Sequence, residues 1–134
     1  MKKWLKRISK KEKGQAMVEA ALVIPIFILI LCGILDFGWI FSNQLMINNC
    51  SREGARYAVV RSEESDMASQ VTTHVKAVSS LGSPEDISVS VSTTSDGDIN
   101  VTVGRDLTVL TPIAGVFVQG QVIPLTSSTI MSVD

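Results

Sequence analysis

The feature that most constrains this chain is an uncharged, apolar stretch from Ala20 to Leu35. Together with the apolar residues that flank it, the stretch covers 26 positions, from Ala16 to Phe41. A helix of that length spans about 39 Å, which exceeds the roughly 30 Å of hydrocarbon in a bilayer. The roughly 90 residues that follow are too few to enclose such a segment in a core. The sequence therefore predicts one membrane-spanning helix.

Charge is distributed unevenly on the two sides of this span. Residues 1–14 contain seven Lys or Arg residues and one Glu, a net charge of +6, and the whole chain carries −1, so the remainder carries −7. Basic residues beside a span stay on the cytoplasmic side, which places the C-terminal part outside the membrane. Because membrane topology accounts for the basic run fully, we expect no nucleic-acid partner.

Two acidic residues, Glu19 and Asp36, interrupt the apolar region near its ends. A carboxylate in hydrocarbon is costly and often marks a functional pair. The alternative is that each side chain reaches toward its own membrane interface, the two being about 25 Å apart along a helix. For Asp36 we favour the interfacial interpretation, because Phe37, Trp39 and Phe41 follow it as an aromatic belt.

The helical pattern continues beyond the membrane to Arg61, and Pro25 is expected to bend the helix without ending it. Glu53 is within reach of Arg56 or Tyr57 on this helix. Small and apolar residues recur there at three- and four-residue spacing and predict a packed stripe: Met46, Cys50, Gly54, Tyr57, Ala58 and Arg61. A second helix follows, capped by Ser62 or Ser65 and ended by Gly82 and Pro84, with the apolar face Met67, Val71, Val75, Val78 and Leu81.

From Asp86 onward, apolar residues alternate with polar ones, which predicts strands. A first strand from Ile87 is joined by the turn at Asp96-Gly97 to a second strand from Ile99, which continues to Leu110 past a bulge near Gly104. Residues 111–120 are expected to form a loop with exposed apolar groups, and residues 122–133 a last strand. We expect the strands to pack on the second helix and on the outer half of the first.

The predicted fold class is α+β: a long N-terminal transmembrane helix that continues outside the membrane, a second helix, and an antiparallel sheet of about three strands. The domain organisation is a basic leader at 1–14, the transmembrane and extended helix at 15–61, and an extracytoplasmic helix-plus-sheet domain at 62–134.

The sequence contains no constellation of residues that supports catalysis. His74 is the sole histidine and has no cysteine near it, so no metal site can be argued. No glycine-rich phosphate loop is present between a strand and a helix. Cys32 and Cys50 would be about 27 Å apart on one helix, too far for a disulfide. We therefore expect no enzyme, no cofactor, no metal and no small-molecule substrate.

The segment Gly14-Gln15-Ala16-Met17-Val18-Glu19 resembles the processing site of type IV-like prepilins, which a membrane peptidase cuts after the glycine. The resemblance implies cleavage between Gly14 and Gln15, with Glu19 as the fifth residue of the mature chain. It also implies that the Glu19 carboxylate neutralises the N-terminal amine of a neighbouring subunit, the partner that a buried charge needs. The alternative is an ordinary signal anchor that keeps its leader.

From Gly14 through Val59 the chain resembles the TadE-like family, small pilin-like proteins of tight-adherence (Tad/Flp) pilus systems. The resemblance is carried by VEAALVIPIFILILCGILDFGWIF and SREGARYA, with the markers Glu19, Pro25, Asp36, Phe37-Gly38, and Glu53 with Arg56-Tyr57-Ala58. One difference is Ala20, where Tad-type prepilins often have Tyr or Phe.

The resemblance implies a minor pilin or pseudopilin whose assembly residues are Glu19, Pro25, Asp36, Glu53, Arg56 and Tyr57. Its expected partners are the membrane, a prepilin peptidase, other pilins and inner-membrane pilus assembly proteins. Its expected location is the cytoplasmic (inner) membrane, crossed once with the N-terminus inside, or the pilus itself. The alternative is an uncleaved, membrane-anchored accessory protein of a secretion or envelope complex.

Overall fold

The computed structural model describes residues 2–80, 83–112, 115 and 122–133, with side chains described from residue 14 onward. Its elements are helix α1 (Lys2–Val60), helix α2 (Met67–Val78), a 3-10 turn (Pro84–Asp86), and strands β1 (Ile87–Thr93), β2 (Ile99–Thr108) and β3 (Val122–Met131). The α+β prediction is confirmed. By its internal contacts the chain divides into two units, Met1–Leu35 and Asp36–Asp134.

The first unit is the N-terminal part of α1. Its large apolar side chains from Met17 to Leu35 are 44–75 % exposed, so this part of the helix has no buried face. The helix is long and apolar enough to cross a membrane. Pro25 lies within it without ending it, as predicted, because neighbouring turns of a membrane helix can accommodate the lost hydrogen bond. α1 also begins at Lys2, well before the predicted start at residue 15.

The second unit is built around a three-stranded antiparallel sheet in which β2 is central. Its inner face packs against α2 and the C-terminal part of α1, as predicted. The buried apolar core is formed by Met46, Ile47, Cys50, Ala55, Ala58, Val71, Val75, Ile87, Ile99, Val101, Val103, Leu107 and Leu125. The predicted stripe on α1 is confirmed at Met46, Cys50, Gly54 and Ala58, whereas Tyr57 and Arg61 are partly exposed.

The register of β2 corrects the predicted bulge near Gly104. Pairing with β1 runs without interruption from Ile87 opposite Arg105 to Thr93 opposite Ile99. A Cβ at Gly104 would lie 2.8 Å from Ser88 Oγ. The glycine therefore leaves room for the Ser88 side chain of the paired strand, within a ladder that continues unbroken. The turn prediction is correct, because Gly97 has a φ of +90°.

The predicted cap of α2 is wrong. The residue before the helix is Asp66, and its side chain makes no capping hydrogen bond. The predicted end of α2 at Gly82 and Pro84 is also wrong, because the helix ends at Val78 and its C-cap, Ser79, already has an extended backbone. The predicted loop at 111–120 lies mostly outside the described residues, as does Leu81, so the interpretations made for those positions stay predictions.

Candidate functional site

Polar side chains on one face of α1 attach this helix to the sheet. Asp36, Asn43 and Ser51 follow each other at seven- and eight-residue spacing, which is close to two helical turns and keeps them on one face. All three are at most 5 % exposed. We call these residues, with Gln44, the polar seam. Their partners are on β2, β3 and the segment between these strands.

Asp36 binds the segment that follows β2. Its Oδ1 accepts hydrogen bonds from the backbone N–H groups of Leu110 (3.0 Å) and Thr111 (3.1 Å). Its Oδ2 accepts a further hydrogen bond from the Thr111 hydroxyl. Three donors thus converge on one buried carboxylate, so the favoured interpretation that Asp36 reaches toward a membrane interface is wrong. The carboxylate replaces the water that these backbone groups would otherwise require.

Asn43 and Arg105 form a buried polar contact one level further along the helix. Arg105 lies on β2, is 7 % exposed, and donates from Nη1 to Asn43 Oδ1 at 2.9 Å. Asn43 in turn donates from Nδ2 to the carbonyl oxygen of Trp39. The second terminal nitrogen of Arg105 lies 3.8 Å from Asp86 Oδ2. A buried guanidinium requires such partners, and they fix the helix against the strand at one register.

Ser51 completes the seam with hydroxyl contacts to β3. Its Oγ lies 2.9 Å from both Ser127 Oγ and Thr129 Oγ1. Gln44 Nε2 donates to the carbonyl oxygen of Thr126 at 3.3 Å. Because a hydroxyl both donates and accepts, Ser51 can satisfy two neighbours at once in a site that excludes water.

Tyr57 lies in a second cluster, between α1 and α2. Its ring stacks on His74 with the ring centroids 4.2 Å apart, and the Arg61 guanidinium carbon lies 4.0 Å from the Tyr57 centroid. Glu53 Oε1 lies 3.8 Å from His74 Nε2, so Glu53 faces His74 rather than Arg56 or Tyr57 as predicted. A shallow pocket of about 380 Å³ adjoins this cluster, lined by Tyr57, Ser69, Gln70, Thr73, His74 and Ala77.

The remaining predicted site residues lie elsewhere on α1. Gly14, Gln15 and Glu19 are exposed in the first unit, and a Cβ at Gly14 would meet nothing within 4 Å. The Gly14–Gln15 bond is within helix α1. Arg56 is exposed in the second unit. The described residues contain no group of three or more His, Cys, Asp or Glu side chains suited to a metal ion.

Sequence reasoning missed most of the polar seam. Asn43 and Ser51 were not singled out, and neither was Arg105, the strand residue that donates to Asn43. The available signal was Arg105, whose position continues the buried alternation of Val101 and Val103 and therefore falls on the inner face of the sheet.

Fold and site together define a class of protein: a small α+β domain whose first helix extends into a single apolar segment able to span a membrane. The model of one protein family, described as TadE-like protein, matches residues 14–56. This segment is TadE-like, which confirms the resemblance found in the sequence. No curated protein and no solved structure matches the chain.

Proposed function

We propose that this chain is a minor pilin or pseudopilin that takes part in assembly of a Tad/Flp-type pilus for surface adhesion or secretion. The observation that carries the proposal is the range of the family match. Residues 14–56 include the exposed apolar helix of the first unit and, from Asp36 to Ser51, the whole polar seam. The matched segment therefore combines a part suited to lipid or to neighbouring helices with the part that holds the outer domain.

In this proposal a prepilin peptidase removes the basic leader by cutting between Gly14 and Gln15. Because the bond lies within α1, the peptidase must first unwind about one turn of helix. Glycine makes that step easier, since it costs a helix about 1 kcal/mol relative to alanine. Cutting there removes the net charge of +6 and leaves the apolar helix intact.

Glu19 is the proposed assembly residue of the mature chain. Its side chain is exposed on a helix whose neighbours are apolar, so burial in lipid or in a bundle of helices requires a partner for the carboxylate. The free amine of a neighbouring subunit's first residue supplies that partner. The basic leader places the N-terminus on the cytoplasmic side and the second unit outside the inner membrane. The partners are other pilins and the inner-membrane pilus assembly proteins.

The other residues proposed for assembly act on the shape of the subunit. Asp36 fixes the segment after β2 to α1, and Glu53 and Tyr57 join α1 to α2 through His74. Pro25 removes one helix hydrogen bond within the apolar segment, which allows that segment to bend when it packs. Arg56 is exposed, as are Pro25 and Glu53.

The test is Glu19→Ala in the native host, with pili and membrane fractions assayed separately and the mature N-terminus determined by mass spectrometry. We expect leader removal to continue and pili to be lost. Glu85→Ala, which removes an exposed carboxylate from the second unit, is the matched control and should leave piliation unchanged. Normal piliation in Glu19→Ala would refute the role of the carboxylate. An N-terminal pyroglutamate formed from Gln15 would refute the amine pairing alone.

The second candidate function is a permanently anchored accessory protein of a secretion or envelope complex that keeps its leader. The continuity of α1 through Gly14 and Gln15 favours it, because a helical bond resists a peptidase. The mass of the chain with and without a prepilin peptidase distinguishes the two: an unchanged mass supports the anchored protein.

A further inference from the structure

The C-terminal part of α1 has an exposed face opposite the polar seam. Phe37, Phe41 and Leu45 are 70, 55 and 48 % exposed and follow one another at four-residue spacing. Arg52 and Arg56 are also exposed and continue the same face, because eleven residues separate Leu45 from Arg56 and make close to three full turns. We call these five residues the outer face of α1. It is apolar over its first three residues and basic over its last two.

Arg52 and Arg56 are positively charged in a part of the chain whose net charge is negative. Residues 36–134 contain five Lys or Arg and eleven Asp or Glu, a net charge of −6. Of the other basic residues on β2 and at the end of α1, Arg105 is buried and Arg61 lies over the Tyr57 ring. Among the residues that the structure describes, neither Arg52 nor Arg56 makes an ion pair or a hydrogen bond. The outer face therefore offers a basic pair that the domain itself leaves unmatched.

Acidic residues that complement this basic pair lie at one end of the second unit. It is the end at which the C-terminus of α1 lies. The connection from α1 to α2 carries Glu63 and Asp66, and the β1–β2 turn carries Asp96 and Asp98. These segments share one end, because Val133 lines a pocket with residues 59–64, and Met131 pairs with the first residue of β2. We call the four acidic residues the distal acidic end. Their carboxylates make no hydrogen bond or ion pair within the described part of the chain.

We propose that the outer face of α1 docks on a second, parallel copy of this chain, with Arg52 and Arg56 against the distal acidic end of that copy. The contact uses two different surfaces of the same chain, so it is heterologous and can add copies without closing. The midpoint of the basic pair lies about 10 Å along the helix before the α1–α2 connection, so adjacent copies are displaced by about that distance. Phe37, Phe41 and Leu45 then contact the neighbouring helix.

This contact adds detail to the proposed function. It rests on that function in one respect, which is that copies of the chain are anchored parallel to one another in the same membrane. Parallel anchoring concentrates the copies in two dimensions, which lets individually weak exposed ion pairs act together. Between unanchored copies the same pairs would be screened by salt beyond about 8–10 Å.

The test is disulfide cross-linking of the full chain in co-reconstituted vesicles, in a Cys32→Ala background. Asn49→Cys places a thiol beside the outer face, and Ser65→Cys or Ser95→Cys places one at the distal acidic end; all three native residues are exposed. The native Cys50 is buried and stays unreacted in the folded chain. A heterologous contact predicts a dimer only when Asn49→Cys is mixed with one of the distal variants. A dimer from Asn49→Cys alone would mean a symmetric contact and would overturn the proposal.

Charge reversal then tests the chemistry. Arg52→Glu with Arg56→Glu should lower the yield about tenfold, the effect of losing a few exposed ion pairs together. The opposite charge reversal on the partner copy should restore the cross-linking yield. It is made either as Asp96→Lys with Asp98→Lys or as Glu63→Lys with Asp66→Lys, and at least one of these two double variants should restore the yield. Lys76→Glu makes the same charge change on α2 and is the matched control. Yields unmoved by Arg52 and Arg56 reversal, or restored by neither partner pair, would overturn the proposal.

The outcome is separable from that of the proposed function. If Glu19→Ala abolishes pili but mixed cysteine variants give no dimer, the docking surface is wrong and the pilin assignment stands. If the dimer forms with its charge dependence while Glu19→Ala leaves pili intact, the docking surface stands and the assembly role of Glu19 is wrong. If a dimer requires a different pilin chain, the occupant named here is wrong.

Discussion

Gly54→Ala tests how closely α1 approaches the rest of the second unit. A Cβ at this position would lie 2.7 Å from Val75 Cγ2 and 3.1 Å from Val101 Cγ1. Both valines are at most 1 % exposed, and a β-branched side chain has little rotamer freedom with which to move aside. Overpacking of this kind costs about 1–3 kcal/mol, whereas replacing a helical glycine by alanine gains about 1 kcal/mol. Because neither neighbour can yield, we expect the upper part of that range, about 2–3 kcal/mol, and therefore a net loss of about 1–2 kcal/mol.

The assay uses Cys50 as a reporter of unfolding of the second unit. The thiol is 2 % exposed, so in a Cys32→Ala background it should react with a thiol reagent only when that unit opens. The full chain is held in detergent and labelled across a urea series. Gly38→Ala is the matched control, because its Cβ would meet nothing within 4 Å and the substitution brings only the helix-propensity gain.

A double substitution separates crowding from other effects of Gly54→Ala. Val75→Ala removes the nearest atom, so the pair Gly54→Ala and Val75→Ala should be less destabilised than the sum of the single variants by about 1 kcal/mol. Additive losses, or a Gly54→Ala chain as stable as the unsubstituted one, would refute the argument that close helix packing selects glycine here.

Three further predictions concern the buried groups of the second unit. Asp36→Ala leaves two backbone N–H groups without their acceptor and should cost about 1–3 kcal/mol, with faster hydrogen exchange confined at first to those two amides; unchanged exchange would contradict the contact. Ser51→Ala removes the hydroxyl that two side chains of β3 share and should cost about 1–2 kcal/mol in the same urea assay, while Ser42→Ala, an exposed hydroxyl on the same helix, should cost less. Burial raises the pKa of the Cys50 thiol, which lies outside the apolar span, by desolvation. The folded state therefore holds this proton more tightly than the unfolded state, and stability should be unaffected below the ordinary thiol pKa of about 8.5 and should fall as pH rises above it. Cys50→Ala should lose this alkaline decline, and a decline that survives the substitution would assign it to another group.

The elements of the fold follow from local patterns of the sequence. An uncharged run longer than a bilayer is thick specifies the apolar helix, alternation from Ile87 onward specifies the strands, and Asp96-Gly97 supplies the positive φ of the turn. Each signal depends on neighbours within a few residues. The prediction of a bulge near Gly104 is wrong because a local pattern does not include the paired strand. Only that strand shows that the missing side chain makes room for Ser88.

The polar seam depends on partners far along the chain, and local patterns do not contain them. Asp36 and Thr111 are 75 positions apart, and Ser51 and Ser127 are 76. A polar residue every second turn of a helix is also what a solvated face looks like, so the sequence alone favours exposure. Only the sheet, by placing hydroxyl and guanidinium groups under that face, makes burial of these residues possible.

If the second unit lies outside the cytoplasm, as proposed, the burial of Cys50 bears on its chemical survival there. Extracytoplasmic compartments favour oxidation, and an accessible thiol there pairs with other thiols or is oxidised further. A thiol that is covered on all sides and kept protonated is a poor nucleophile and escapes both fates. Unfolding of the second unit would expose the same sulfur to oxidation or disulfide pairing, so the protection of Cys50 depends on the fold.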